Sequence, residues 1–417
     1  MKKIILIGVN ATSAKYVPQA LRSAGFEPVF LADPDAFTGR SAHSLRDCAC
    51  LPVNIQDRSA VLRALADHPS VTEGAFAVTG LYDEKFPLIA EIAATYDLHG
   101  PEPVAVRLAA KDEVAALIPE FSPPTVRFTG AEAARLAVDP AALGPVPDGY
   151  VLKPAEQAGG RGATRLPRGA RPADVRDALA ASSLPQDPTR SWVLQADIRG
   201  PLFSLEGYVS DGRIVFIDFS QRGRIAWTEV SNLLPADRRL PRDAQERCKA
   251  AVTALVERSG FGQGYFHCEF LLQDGQPYLI DANAGRLGGG AVVEQLALSH
   301  GLDPVEILAH VLTLGLPAAG TSPEPAYRPL GSGRATLSYY YGLEGGGRIT
   351  SVSVPEGGRC FHTRVVPDGG RVGPVGTGDS AWIGMLTGFA DDVTRDIEGV
   401  VVHTPDGPRP AAWVAPS

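Results

Sequence analysis

FHCEFLLQDGQPYLIDANAGRLGGG (Phe266–Gly290) opens as two short apolar runs on either side of Asp274-Gly275, a pair suited to a two-residue hairpin turn because both positions tolerate positive φ. Alternation puts His267, Glu269 and Leu271 on one face of the first strand. On the second, Tyr278 and Ile280 share one face, and Asp281 and Asn283 share the other. A tight hairpin then brings Glu269 across the ladder from Asp281, to within one residue of register. Two carboxylates held close together raise each other's pKa unless a cation stands between them. Two carboxylates and an Asn amide are hard oxygen donors that suit Mg2+, which keeps waters and borrows phosphate oxygens to complete its octahedron. The plain alternative is an exposed hairpin face with solvated acids, although the flanking strands are unusually apolar for that.

Upstream, GYVLKPAEQAGGRGATRL (Gly149–Leu166) reads strand, glycine loop, strand. Lysine is scarce, seven residues against 32 arginines, so Lys153 inside an apolar run carries weight. There its ammonium must either snorkel to water or meet an anion. Gly159, Gly160, Arg161 and Gly162 form a flexible segment with bare backbone N–H groups. That composition cradles phosphate, and it also makes ordinary turns between strands. A P-loop signature, G-x-x-x-x-G-K-[ST], is absent from the chain.

The 417 residues, 44% of them hydrophobic, allow a large core and two to three domains or lobes. The net charge of -8 is mixed in sign and free of long runs, so nothing marks a nucleic-acid or membrane partner. An anionic ligand must therefore be held by a few placed cations. Five scattered cysteines, with Cys48 and Cys50 too close for an ordinary bridge and lacking a second pair for zinc, read as reduced thiols of a cytoplasmic protein. The opening MKKIILIGVN has too short an apolar run for a signal peptide, and no run approaches the ~20 apolar residues of a membrane span.

Strands at Ile4–Val9, Glu27–Asp33, Cys50–Val53 and Gly74–Gly80 alternate with helices at Ala14–Ala24 and Ala60–Ala66, the rhythm of an open, doubly wound sheet. Its first turn has Gly8 but no G-x-G-x-x-G, which argues against a dinucleotide site. Pro101 and Pro103 punctuate a boundary, and α+β segments follow: antiparallel strands turning at Asp211-Gly212, a helix at Asp243–Ser259 stopped by Gly260, and helices at Val292–Leu298 and Pro304–Leu314. The expected division is an N-terminal α/β domain over 1–103, a small lobe with the glycine loop over 104–195, and a large lobe with the hairpin over 196–417, β-rich from about residue 334.

In this order, Lys111 in RLAAKDEVAAL, Lys153 with its glycine loop, VLQADIRG, FSLEGYV and the acidic hairpin followed by Arg286 resemble the ATP-grasp superfamily over residues 1–315, and more loosely beyond. The resemblance implies an open α/β domain and then two α+β lobes that clamp ATP between antiparallel sheets. It implies joining of a carboxylate to an amine through an acyl phosphate, with release of ADP and phosphate. It further implies that Lys111 and Lys153 contact ATP phosphates and that Gly159, Gly160, Arg161 and Gly162 form the phosphate loop. Gln195, Ala196 and Ile198 would line the adenine, with backbone groups of Ala196 and Ile198 reading its edge. Glu206 would stand near ribose or metal. Glu269, Asp281 and Asn283 would hold Mg2+, two ions, with Mn2+ able to substitute. Arg286 would meet the phosphate or acyl phosphate where charge develops, and Gly288 and Gly289 would let a carboxylate approach the γ-phosphate over bare backbone. The chain departs from the family pattern at Asp281, where Glu is commoner, at NAGR in place of Asn-x-Arg, and at Gln195, where an acid is frequent.

Within the superfamily, KPAEQAGGRGATRL, WTEVSNLLPADRRL and DANAGRLGGGAVVEQLALSHGLDPVEILAHVLTLG, with a β-rich tail, resemble L-amino-acid ligases and related carboxylate–amine ligases of peptide and specialised-metabolite assembly. The implied partners are a small carboxylate and an amine, and many relatives are homodimers. Arg222 and Glu229 become substrate-pocket candidates, Glu229 for an amino group, against a solvated loop pair. His267 reads more readily as a packed strand histidine than as a base, Cys268 as core, SYYYG as packing, and CFHTR (Cys360–Arg364) as metal-capable residues without a second cluster. Two other readings share the nucleotide site: an ATP-grasp purine-pathway enzyme or bicarbonate-using carboxylase, and a nucleotide-binding protein that senses or scaffolds without ligating.

Overall fold

A computed structural model describes residues 1–9, 13–34, 44–135, 138–144, 146, 148–157, 161–185, 187–317, 322–378 and 381–411. The apolar run near the start is the centre of a parallel sheet of β1 (Lys2–Ile7), β2 (Phe26–Ala32), β3 (Ala49–Pro52) and β4 (Ala75–Gly80), in the order β3-β2-β1-β4. Both of its faces are covered, which is why β1 shows no polar alternation. Ile4 and Leu6 pack with Val17 and Leu21 of the helix Val17–Ser23 and with Leu308 and Leu312 of the helix Pro304–Thr313. Ile5 and Ile7 face Val61, Leu65, Phe86 and Ile89 on the other side.

The small lobe is an antiparallel sheet of β5 (Thr125–Thr129), β6 (Tyr150–Pro154), β7 (Thr164–Leu166) and β8 (Ser191–Ala196), ordered β5-β8-β6-β7. Tyr150, Leu152, Trp192 and Leu194 point to one face and bury Val175 of the helix Pro172–Ala180. By the same period of two, Val151 and Lys153 point to the opposite face.

The large sheet begins with β9 (Leu202–Ser210), β10 (Arg213–Ile225), β11 (Thr228–Leu234), β12 (Gly264–Gln273) and β13 (Gln276–Ala284). The tail adds β14 (Thr336–Tyr341), β15 (Gly347–Arg348), β16 (Ser351–Ser353), β17 (Phe361–Arg364), β18 (Arg371–Val372), β19 (Gly384–Phe389), β20 (Val401–Thr404) and β21 (Gly407–Pro410). The order across eight strands is β13-β12-β9-β10-β11-β14-β19-β17, so three tail strands complete this sheet, and the others form two small sheets beside it. Pairing with β14 closes what would otherwise be an open edge at β11. The turns at Asp211-Gly212 and Asp274-Gly275 both have two successive positive φ values, 49° and 76°, then 51° and 79°.

One face of the large sheet, with Phe203, Leu205, Phe219, Phe266, Cys268 and Phe270, is covered by Cys248, Val252 and Leu255 of the helix Arg242–Ser259. That apolar cluster runs without a break into the N-terminal sheet through Phe86, Leu108 and Val114. The shared core holds the N-terminal domain against the large sheet. Truncating a wholly buried member such as Phe219 to Ala costs about 3 to 5 kcal/mol. The opposite face carries Ser204, Glu206, Arg222, His267 and Glu269 and looks toward the small lobe. Among the described residues no helix is long and apolar enough to cross a membrane.

Candidate active site

Between the two antiparallel sheets lies a cavity of about 790 Å3. The acidic hairpin supplies its floor. Glu269 pairs directly with Asp281 across the ladder and His267 pairs with Asn283, the juxtaposition expected from alternation. One detail differs from the sequence reading, which put Ile280 on the face away from Asp281. The register shifts after Glu269, so that Phe270 pairs with Leu279 and Ile280 is the extra residue of a bulge. Bulges re-aim side chains, and Ile280, Asp281 and Asn283 all line the cavity.

Every acidic group here has a counter-ion. Arg222 ion-pairs with Glu269 through one Nη and with Glu229 through Nε at 3.1 Å and the other Nη at 3.0 Å. Lys111 Nζ lies 3.2 Å from Asp281 Oδ2 and donates to the Gln157 carbonyl at 3.1 Å. Arg286 Nη2 donates to Asn283 Oδ1 at 2.6 Å, and its Nε donates to Asp83 Oδ1 at 2.8 Å. Burial alone would raise the Glu269 carboxyl, but the His267 hydrogen bond and the Arg222 charge outweigh it and hold the group well below the usual range. The same balance operates at Asp83, where burial is overcome by Arg286 and the carboxyl is lowered.

Lys153 and Arg224 are the exceptions. Among the described residues Lys153 has no ion-pair or hydrogen-bond partner, and burial first, then the Lys111 charge, push its ammonium down to about 8. Arg224, two residues past Arg222, also lines the cavity and has no hydrogen-bond or ion-pair partner among the described residues, just after a register shift in the β10–β11 pair. It is lowered by burial despite the nearby Glu269. Unpaired cations in a part-buried cleft are what an anionic ligand needs.

The remaining candidates fall into four groups. Gln195, Ala196 and Ile198 line the cavity at the end of β8. Gln195 Nε2 is tied to Thr125 Oγ1 at 2.9 Å. The Ala196 N–H already donates to the Pro124 carbonyl at 3.0 Å, so of its two backbone groups it is the carbonyl that is left for a ligand. Pro124 has no N–H to return to it. Arg161 lines the cavity and sits 3.4 Å from Glu84, whereas Gly162, at φ +72°, packs against Leu184 instead. Gly159 and Gly160 lie outside the described residues.

Glu206, expected at ribose or metal, is corrected to a support: it is 0% exposed and does not line the cavity. One of its oxygens bonds His267 Nδ1, and the other accepts the Gly288 N–H at 3.1 Å. His267 in turn reaches Glu269 Oε1 from Nε2 at 3.2 Å. Burial pulls His267 down, but Glu206 and the hydrogen bonds prevail and raise it. His267, 1% exposed, is thus a packed histidine that also orients an acid at the cavity floor. The glycines after Arg286 divide in function. A Cβ on Gly288 would stand 2.9 Å from His267 Nδ1, and one on Gly290 would run into the Tyr340 hydroxyl, while Gly289 alone is open.

No protein-family model and no curated protein matches the sequence. Solved structures match the fold. The L-amino acid ligase from Bacillus licheniformis aligns over 93% of this chain and 93% of its own, at 18% identity and a TM-score of 0.67. The biotin carboxylase domain of 2-oxoglutarate carboxylase from Hydrogenobacter thermophilus, in complex with MgADP, ADP and bicarbonate, aligns over 98% of this chain and 92% of its own, at 16% identity and a TM-score of 0.70. Carboxyaminoimidazole ribonucleotide synthase from Aspergillus clavatus, complexed with ATP, aligns over 94% and 95%, at 14% identity and a TM-score of 0.64. The chain has the ATP-grasp fold. At these identities the likeness is one of fold.

Within this cleft, sequence reasoning missed several residues. Asp83 comes from the N-terminal domain, and its one local signal was its place just past β4, at the carboxyl end of a parallel sheet where such folds bind ligands. Tyr340, Trp382 and Met385 line the cavity from the tail. The reading of SYYYG as packing holds for Tyr339 and Tyr341, which join the tail core, and alternation turns Tyr340 the other way.

Proposed function

We propose that the chain is an ATP-dependent ligase that joins a carboxylate to an amine through an acyl phosphate. The observation that carries this is Lys153, an unpaired ammonium in a cleft whose other charges are nearly all matched, facing a hairpin of two carboxylates and an amide. The ATP-grasp fold supports the reading, and so does a neighbour named as an L-amino acid ligase.

On this reading Lys111 and Lys153 hold the phosphates as point charges. Ala196 and Ile198 receive the adenine, with the Ala196 carbonyl as acceptor, and Val151, Leu202 and Leu271 supply apolar walls. Among the described residues no three or more His, Cys, Asp or Glu side chains surround one point. The set that fits Mg2+ is Glu269, Asp281 and the Asn283 Oδ1, hard oxygens already facing one another on adjacent strands. The ion supplies charge neutralisation to the phosphates when bound. Arg222 and Lys111, now paired with those carboxylates, retain Glu229 and the Gln157 carbonyl as alternative partners.

A substrate carboxylate oxygen attacks the γ-phosphorus as its bond to the ADP oxygen breaks. The amine nitrogen then attacks the acyl carbon, phosphate leaves, and the surplus proton passes to solvent. Arg286, bridging Asn283 and Asp83, is placed to offset charge that develops on the transferring group. The test is ATP-dependent phosphate release with Mg2+ over single L-amino acids and pairs, with mass spectrometry of each positive reaction. Release that requires a specific pair, with a product at the summed mass less water, is the expected result. Release that depends on bicarbonate, or ATP binding without turnover in any mixture, would overturn it.

A further inference from the structure

Past Arg286 the cavity is lined from the tail by Tyr340, Trp382 and Met385. Tyr340 on β14 stacks on Trp382, with ring centroids 4.6 Å apart and planes at 20°, and Met385 of β19 packs beside them. The Trp382 ring is fixed from behind, its Nε1–H donating to the Glu229 carbonyl at 2.7 Å. Tyr340 is 1% exposed, and its hydroxyl is buried against Ser338 and the Ala291 backbone. The hydroxyl stands over Gly290, and the residue contributes to the cavity wall. With Trp382 and Met385 it gives this end of the cavity an apolar, partly aromatic wall, which suits a flat or apolar body.

We infer that this platform seats a large apolar side chain, aromatic or long aliphatic, on the carboxylic acid that is activated, an inference that rests on the ligase reading. The acid is assigned here, and not the amine, because the platform borders the Gly288–Gly290 turn and the Arg222–Glu229 pair. Arg222 touches Glu269, so a head group at this border lies next to the hairpin proposed to present the γ-phosphate. A charged side chain against Tyr340, Trp382 and Met385 would lose its water without gaining a partner. A methyl side chain would leave this end of the cavity unfilled.

The test uses the full chain with ATP, Mg2+ and hydroxylamine as nucleophile, so that the natural amine need not be known. The acid takes the γ-phosphoryl group and ADP leaves. Hydroxylamine nitrogen attacks the acyl carbon, the bond to phosphate breaks, a proton goes to solvent, and a hydroxamic acid forms. L-Phe, L-Leu and L-Met are compared with Gly, L-Ala, L-Asp and L-Lys. Hydroxamate is expected from the first group, with kcat/KM roughly 10- to 150-fold above that for L-Ala, the span set by burying one large apolar side chain. Trp382→Ala should collapse the L-Phe to L-Ala ratio by a similar factor, and Trp382→Phe should restore most of it. A variant that simply misfolds lowers both acids together, and that result in Trp382→Ala with no change of ratio overturns the seat. Preference for small or charged acids overturns the seat and leaves the ligase reading standing. No hydroxamate and no ADP from any acid, with ATP bound, overturns the ligase reading and the seat with it.

Discussion

Replacing Lys153 by Met should make the protein more stable and less active at once. Lys153 rises from β6 into the cavity without a partner, and its ammonium is pushed from the ordinary 10.5 to about 8, by burial first and Lys111 second. At about 1.4 kcal/mol per pKa unit, keeping that ammonium charged costs the folded state up to ~3 kcal/mol near neutral pH. The side chain is only part-buried, so water screens some of this, and the expected gain for Lys153→Met is about 1 to 3 kcal/mol. The pKa is lower in the folded than in the unfolded chain. The penalty is therefore full below about 8, shrinks as pH rises, and is gone above 10.5. Urea unfolding of the two proteins should show a stability gap that narrows over that window. ADP formation should fall by roughly 10²- to 10³-fold, the usual loss when a charge-stabilising group is removed from a reacting centre. A variant less stable than the parent at pH 7, or a gap that does not move with pH, would mean that Lys153 has a structural counter-ion. Undiminished ADP formation would mean that it does not face the phosphates.

Lys111→Ala, in contrast, should destabilise by about 1 to 3 kcal/mol in thermal denaturation, because Asp281 is left facing Glu269 without its cation; an unchanged melting temperature would show that the pair contributes nothing. Glu269→Gln should raise the Mg2+ concentration needed for half-maximal ADP formation at least about 10-fold, since one charged hard donor is lost while Arg222 keeps Glu229, and a superimposable Mg2+ titration would remove Glu269 from the metal set. The kcat/KM for ATP should decline as pH passes about 8, following loss of the Lys153 proton in the free protein, and a profile flat to pH 9.5 would count against that residue as the phosphate contact.

How much of this was legible beforehand differs from residue to residue. Glu269 facing Asp281 followed from a period-two pattern and an Asp-Gly turn, both local and both stereochemically strict. The parallel N-terminal sheet was legible for the same reason: strands covered on both faces read as unbroken apolar runs. The bulge that brings Ile280 into the cavity was not, because inserting one residue into a ladder leaves no compositional trace. Glu206 was legible as an acid near the site but not as one facing inward, since its partner His267 lies 61 positions away.

The sequence alone determined the alternation of strands and helices, the turns, and the short list of lysines and acids able to handle phosphate, because each of these depends on steric and chemical preferences within a few residues. The tertiary structure decided which of them meet. Asp83 reaches Arg286 from the end of the separate parallel sheet, and Tyr340 and Trp382 enter the cavity because β14 and β19 complete the sheet beyond β11. Those pairings follow from which faces can bury apolar area together and which edges must be closed, a property of the whole chain that no local window of sequence contains.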